Sequence, residues 1–283
     1  MIPQPPPGVE PPAAPGAPPP PPALPHRPDG DLAILGSGPK GLPAVDWSFA
    51  KALLVAFVTN IALGQFLAAG ITMLALGVTS TDEAGGGVLV YVSVVADLVW
   101  LAGMLVWLST WHRDWRGRVG VTFGARGLRD ASFGLIGGLV LYPVIAFVVG
   151  IPLTILFKTL SGQEATTPEQ LPSDLSPTAV VVSVILAIVI APVVEELFFR
   201  GILFRSVRDR RGFWIGALVS GLLFGVVHYV PAPWQDTLLL QSIMVFTGLG
   251  LAWIYERRGN LVANIVAHMA FNAVGVILIF TAR

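Results

Sequence analysis

The stretch "TAVVVSVILAIVIAPVVEELFFRG" (178–201) decides the fold. Its first part, 178–194, carries no charged side chain and begins an apolar segment long enough to cross a bilayer as a helix. Two glutamates and an arginine then follow on the same helix. A charged side chain at the centre of a membrane helix costs about 2.5–3.5 kcal/mol on insertion scales, so such residues usually face a bundle interior or a cavity. Glu195, Glu196 and Arg200 are therefore either interfacial anchors or functional groups.

The composition predicts a polytopic membrane protein. The chain has 283 residues, of which 54% are hydrophobic and 12% are charged, whereas soluble domains carry about 25% charged residues. The net charge of zero says nothing about nucleic-acid binding, but the chain has no basic run long enough for it. The chain has no cysteine, which excludes disulfides, thiolate metal sites and a cysteine nucleophile. Arg outnumbers Lys by 14 to 3, which is typical of a bacterial protein from a GC-rich genome.

The apolar segments predict an all-α membrane helix bundle. A spanning helix needs about 20 mostly apolar residues, and seven segments meet that length approximately. An eighth, short helix would fit within 110–130 or 158–177. The seven predicted spans are 48–77, 86–109, 131–157, 178–208, 213–230, 237–255 and 260–281.

The chain divides into a tail and a bundle. Residues 1–45 hold 16 of the 24 prolines and show no apolar periodicity, so we expect a disordered cytoplasmic tail with polyproline II character. The main interpretation is a passive solvated tail, and the alternative is a docking segment for a proline-binding partner. Residues 46–283 form the predicted transmembrane bundle.

Basic residues orient the predicted bundle, because short cytoplasmic loops are enriched in Lys and Arg. Loops with several arginines (110–130, 200–212 and 256–259) alternate with loops that carry one lysine or no basic residue (79–86, 158–177 and 230–236). This alternation predicts an integral protein of the bacterial cytoplasmic membrane with its N-terminus inside.

Polar residues of three helices are predicted to share one layer of the membrane. At 1.5 Å per residue, Glu195 and Glu196 lie about 18–20 Å from the inner boundary, and His228 about 22 Å. His268 and Asn272 lie about 12 and 18 Å in by the same count. Glu196 and Arg200 are four residues apart and can pair along the helix. Each of these groups of residues also has a purely structural interpretation, as an interfacial anchor or an interhelical packing contact.

Such a layer suits water activation. Desolvation raises the pKa of a carboxylate and lowers that of an imidazole, which brings both groups nearer to neutrality. A glutamate can then take a proton from water, while the second histidine and the asparagine stabilise an oxyanion. Alternatively, His228, His268 and Glu195 form a three-ligand set for zinc with one open position. The metal-free mechanism is equally compatible, and both schemes lead to amide hydrolysis.

Three motifs carry a resemblance to a known family. "EELFFRG" has the EExxxR pattern, "FGVVH" has FxxxH and "HMAFN" has HxxxN. In this order they resemble the CPBP family, which contains the type II CAAX prenyl endopeptidases, the Abi proteins and the bacteriocin-processing proteins. The resemblance covers about 178–278, and the family is identified as metalloproteases.

The resemblance implies roles for the motif residues. Glu195 and His228 would activate the water, His268 and Asn272 would form the oxyanion site, and Glu196 and Arg200 would hold the helix. We therefore expect an intramembrane endopeptidase that cuts a membrane-associated peptide or protein in the inner half of the bilayer. The alternative is a non-catalytic immunity or scaffold protein of the same fold that binds a peptide.

Overall fold

The computed structural model describes residues 42–77, 85–168 and 175–281, and in these ranges it is helical without strands. Most of the predicted proline-rich tail and parts of the predicted loops 79–86 and 158–177 lie outside the described residues. Seven long helices, here numbered in chain order, build the bundle: α1 (Phe49–Ala75), α2 (Gly87–Trp111), α3 (Gly124–Ser161), α4 (Pro177–Arg211), α5 (Phe213–Val227), α6 (Trp234–Arg258) and α7 (Leu261–Thr281).

The predicted all-α membrane bundle is confirmed. Each of the seven predicted segments overlaps one of these helices, four of which extend beyond the predicted bounds, and six of the helices are long and apolar enough to cross a membrane. The exception is α5, which has 15 residues. The segment 110–130 adds one helical turn, Trp115–Arg118, between α2 and α3. The apolar length of six spans makes this an integral membrane protein.

The basic loops meet at one end of the bundle, where the chain enters α1. Val45 donates its backbone N–H to Asp209 at the end of α4, and Asp46 pairs with His112 just after α2. Tyr255, near the end of α6, donates its hydroxyl to the carbonyl of Val119. These contacts join the ends of three helices that the alternating charge pattern predicts to lie on the same side.

Helix α4 is the centre of the bundle. Residues 196–209 of this helix are all buried, and Phe199, Ile202 and Phe204 are each about 1% exposed or less. Two stretches of α4, Leu186–Ile190 and Leu197–Phe204, are π-helical. Such wide turns are rare and occur frequently at functional sites. The glutamates lie between them.

Helix α7 is held against α3 by two glycines. A Cβ atom at Gly134 would lie 2.0 Å from the carbonyl oxygen of Ala263, and one at Gly138 would lie 2.0 Å from that of Ala267. Small residues four apart allow membrane helices to approach closely. This contact fixes α7 immediately beside His268.

Candidate active site

The first feature of the site is a buried ion pair on α4. Arg200 Nη1 donates to Glu196 Oε1 at 2.8 Å, and both side chains are fully buried. This is the pairing that the four-residue spacing predicts. Arg200 also donates to the carbonyl of Gly248 on α6 and lies 4.8 Å above the ring of Phe224. The arginine therefore ties α4 to α5 and α6 while it neutralises Glu196.

Glu196 accepts from two residues of α7 as well. His268 Nδ1 lies 2.9 Å from Glu196 Oε1, and the amide of Asn264 donates to Glu196 Oε2. Because an ionised carboxylate can only accept, the Nδ1 atom of His268 carries the hydrogen of that bond. Both oxygens of Glu196 are thus engaged by side chains of α4 and α7.

Glu195 is arranged differently. Its Oε1 lies 4.0 Å from Nε2 of His228 and its Oε2 lies 3.8 Å from Nε2 of His268. Both separations exceed the length of a hydrogen bond. The Glu195 side chain is 20% exposed and that of His228 is 25% exposed. Glu195 therefore faces two imidazole nitrogens without a hydrogen bond to either, and its side chain is partly exposed.

The orientation of His228 is fixed by its own helix. Its Nδ1 atom lies 2.6 Å from the carbonyl oxygen of Phe224, so Nδ1 is the protonated nitrogen and Nε2 points to Glu195. The ring of Phe224 lies 4.5 Å from that of His228 and 5.8 Å from that of His268. One buried aromatic side chain thus separates and supports the two imidazoles.

Asn272 lies apart from this group. Its Nδ2 donates to the carbonyl of Ala187 at 2.7 Å, in the first π-helical stretch of α4. The other five motif residues come together around Glu195 and Glu196, whereas Asn272 lies one turn beyond His268 on α7. Its amide keeps one N–H and its oxygen for another partner.

The side chains around Glu195 are of the types that bind zinc, but their spacing differs from that of a zinc site. Two imidazole Nε2 atoms and a carboxylate are ligands that zinc takes, and the groups on both Nδ1 atoms are of the kind that orient zinc-bound histidines. The spacing is wider than a zinc site, because the facing atoms are 3.8 and 4.0 Å apart and tetrahedral zinc ligands are about 3.4 Å apart. Within 42–77, 85–168 and 175–281, no three His, Asp or Glu side chains are spaced to hold a metal ion. We assign no reaction step to a metal.

Asn264, which donates to Glu196, was not among the site residues predicted from the sequence. This residue precedes His268 by four positions, as Asn272 follows it by four, so all three lie on one face of α7. The sequence feature that could have identified it is an amide side chain on the helix face that carries the motif residue His268. It was overlooked because Asn264 lies outside the three motifs.

Comparison with known proteins locates the similarity in the region of the site. The chain is 29% identical over 102 residues to the Bacillus subtilis protein named "Putative membrane peptidase YdiL", which covers 35% of this chain and 38% of that protein. It is 29% identical over 132 residues to an uncharacterized 24.3 kDa protein of Escherichia coli (46% and 59%). It is 31% identical over 87 residues to the UPF0177 protein YxdF of Lactococcus lactis (31% and 44%).

The alignments therefore span between 38% and 59% of the length of these relatives. No solved structure matches the chain significantly. A protease is supported at the level of the family, by the family match below and by the name of the Bacillus subtilis relative. Residues 177–274, which contain all three motifs, match the family described as Type II CAAX prenyl endopeptidase Rce1-like, and the resemblance predicted from those motifs is thereby confirmed.

Proposed function

We propose that this protein is an intramembrane endopeptidase in which Glu195 and His228 activate a water molecule. The observation that carries the proposal is the contrast between the two adjacent glutamates. Glu196 has both oxygens engaged by α4 and α7, whereas Glu195 faces two imidazole nitrogens without bonding either. Because its side chain is partly exposed and makes no hydrogen bond to either imidazole, Glu195 is free to take a proton from a water molecule that reaches it.

The proposed reaction begins with attack on the peptide carbonyl. The water oxygen bonds to the carbonyl carbon while its proton passes to Glu195, and His228 Nε2 orients the water as a hydrogen-bond acceptor. The carbonyl oxygen becomes an oxyanion. The remaining N–H of Asn272 and, once protonated, Nε2 of His268 would donate to this oxygen.

The second half of the reaction expels the amine. A proton passes from Glu195 to Nε2 of His268, whose imidazolium form is stabilised by Glu196 on the opposite nitrogen, as a carboxylate stabilises the histidine of a catalytic triad. His268 then returns this proton to the leaving nitrogen as the C–N bond breaks. The products are a new carboxyl terminus and a new amino terminus, and the side chains return to their starting state.

The substrate is proposed to be a membrane-associated peptide or protein. The glutamates lie inside a span, so the scissile bond has to reach them from within the bilayer or from a cavity open to its inner half. We propose the bacterial cytoplasmic membrane, with the N-terminus inside, on the basis of the basic loops. The family description names a CAAX-type endopeptidase, so a farnesylated peptide ending in a CAAX sequence is a useful probe beside unmodified membrane peptides.

The test is a cleavage assay with purified protein in lipid nanodiscs. A set of synthetic membrane-spanning peptides and one farnesylated CAAX peptide is incubated with wild type, Glu195→Gln and His228→Ala, and products are identified by mass spectrometry. We expect new termini with wild type and a loss of at least about 100-fold in both variants. If folded wild type yields no new termini, or the variants cleave as fast as wild type, the proposal is wrong.

The role of zinc is a separate measurement. Elemental analysis of active wild type is compared with His268→Ala, which removes one of the three candidate ligands. Zinc well below a tenth of an equivalent in active protein would support the metal-free mechanism. A full equivalent that is lost in His268→Ala would support the zinc scheme instead.

A further inference from the structure

We propose that Asn264 is a positioning residue that sets which nitrogen of His268 is protonated, by holding the carboxylate of Glu196. The inference rests on the proposed function, since it concerns the histidine that is to receive and return a proton. It concerns a residue outside the three motifs. It follows from contacts within α4 and α7.

Asn264 has one polar side-chain contact. It is fully buried on α7, and its amide nitrogen donates to Glu196 Oε2. Its amide oxygen has no hydrogen-bond partner among the described residues. A buried polar atom without a partner costs about 1–3 kcal/mol. A buried asparagine at this position therefore costs stability if it only fills space. Its one polar contact is with Glu196, so we infer that it acts through Glu196.

Two side chains donate to the same oxygen atom of Glu196. Arg200 Nη1 and His268 Nδ1 both bond to Oε1, at 2.8 and 2.9 Å. Arginine prefers to bind a carboxylate with two parallel hydrogen bonds, and the last torsion of glutamate rotates over a broad range. The amide of Asn264 occupies Oε2 and so opposes rotation of the carboxylate toward a two-bond pairing with Arg200.

The consequence reaches His268 through this carboxylate. While Glu196 Oε1 accepts from Nδ1, the neutral ring carries its hydrogen on Nδ1 and presents a lone pair on Nε2 toward Glu195. Without Asn264, Glu196 can turn to Arg200 and the Nδ1 atom loses its acceptor. The hydrogen is then free to move to Nε2, where it would block uptake of the proton from Glu195.

The experiment is nitrogen NMR on protein labelled with ¹⁵N-histidine in lipid nanodiscs. The chain has four histidines, so the spectrum is simple and His268 is assigned by its loss in His268→Gln. The nitrogen shifts report the tautomer of each ring. We expect the Nδ1–H form of His268 in wild type and a mixture with substantial Nε2–H in Asn264→Ala.

Asn260→Ala is the matched control. Asn260 is also a buried amide, at the start of α7, but it bonds to Asp130 and to the carbonyl of Thr122. Its loss should leave the His268 tautomer unchanged. If Asn264→Ala does not fold, Asn264→Ser is measured instead. For this variant we expect a population of the Nε2–H form above that of wild type but smaller than the one predicted for Asn264→Ala. An unchanged tautomer at His268 in the folded Asn264 variant, or an equal change in Asn260→Ala, overturns the proposal.

Activity supplies an independent measurement. On a peptide that wild type cleaves, Asn264→Ala should lower kcat by about tenfold or more and leave KM within about twofold, because proton transfer and not substrate binding is affected. A rise in KM with kcat unchanged would contradict the assigned role. The NMR measurement needs no substrate, so a tautomer change in a protein that cleaves nothing would support the role of Asn264 and count against the proposed function alone.

Discussion

Helix α4 carries two buried acid–base pairs at four-residue spacing, and they differ in what surrounds them. Arg205 donates to Asp209 at 2.9 Å and to the carbonyl of Pro43 at 2.7 Å, and Asp209 also accepts from the backbone of Val45. Arg208 beside it donates to Glu256 of α6. These residues lie at the end of the bundle where the basic loops meet. This basic-end network consists of Arg205, Arg208, Asp209 and Glu256, and each of the four has a partner of opposite charge.

The Glu196–Arg200 pair, two turns earlier on α4, has a neighbour of another kind. Glu195 is adjacent in sequence, partly exposed, and not hydrogen bonded to either imidazole that it faces. Burial and charge alone are similar in the two places. The difference is that the charged groups of the basic-end network join chain segments, whereas the carboxylate of Glu195 and the Nε2 atoms of His228 and His268 are not hydrogen bonded to one another. We infer that the first serves stability and the second chemistry.

The largest expected effect on stability comes from breaking the basic-end network. Arg205→Ala removes the main partner of Asp209 and leaves this buried carboxylate only Arg208 at 3.5 Å and the backbone N–H of Val45. Breaking a buried ion pair typically costs about 3–5 kcal/mol, and we expect a loss toward the lower end of that range. It also releases the chain before α1, which Arg205 holds at Pro43. We expect a large fall in the unfolding midpoint in detergent, measured by intrinsic tryptophan fluorescence. An unchanged midpoint would show that this network does not serve stability.

A smaller loss is expected where α3 meets α7. In Gly138→Ala the new Cβ would meet the carbonyl oxygen of Ala267 at 2.0 Å and the Cβ of Ala270 at 2.9 Å, so α7 has to move. Overpacking of this kind costs about 1–3 kcal/mol. Because His268 follows Ala267 directly, cleavage should fall as well.

Gly70→Ala is the matched control for this prediction. A Cβ at Gly70 meets nothing within 4 Å, and alanine favours a helix more than glycine does. We expect an unchanged or slightly raised unfolding midpoint and wild-type cleavage. Equal losses in the two glycine variants would mean that the close contact of α3 with α7 is not what positions the site.

The smallest effect is expected at the exposed pair of Lys158 and Glu164. Lys158 donates to Glu164, and both side chains are more than half exposed. This hydrogen bond and the charge of Lys158 hold the pKa of Glu164 below its usual range. A lowered pKa in the folded state gives stability that is present at neutral pH and disappears as the pH falls through that pKa. Solvent-exposed pairs contribute little because water and salt screen them.

Lys158→Met therefore should not shift the unfolding midpoint measurably at pH 7. Any small difference from wild type should shrink as the pH falls below the usual pKa of a glutamate, and vanish once Glu164 is protonated in the folded protein as well. A midpoint lowered as far as in Arg205→Ala would contradict the distinction between buried and exposed pairs on which the comparison depends.

Much of the architecture was predictable from the sequence because lipid imposes simple rules. Apolar length located all seven helices, and the fifth was the one that fell short of a full span, with 15 residues. The spacing of Glu196 and Arg200 predicted their pairing. Periodicity could not predict the π-helical stretches of α4, since they depend on how neighbouring helices pack against it.

Ion pairs and hydrogen bonds between side chains of different helices were harder to predict from the sequence. The arginines of 205–211 were counted in the basic loop 200–212, yet Arg205 and Arg208 are buried and paired, and Arg210 and Arg211 remain exposed. Their acceptors lie on other segments, such as Glu256 of α6, and no local pattern marks such a distant partner. The contact of Asn264 with Glu196 was missed for the same reason.

The most direct test of the account measures stability and cleavage together in Glu195→Gln and Asp209→Asn. Both changes neutralise one buried or partly buried carboxylate of α4 with almost no change in shape. We predict that Glu195→Gln keeps the wild-type unfolding midpoint and loses cleavage by at least about 100-fold. Asp209→Asn should lower the midpoint, while its folded fraction still cleaves. Wild-type cleavage by Glu195→Gln, or a loss of stability as large as that of Asp209→Asn, would contradict the account.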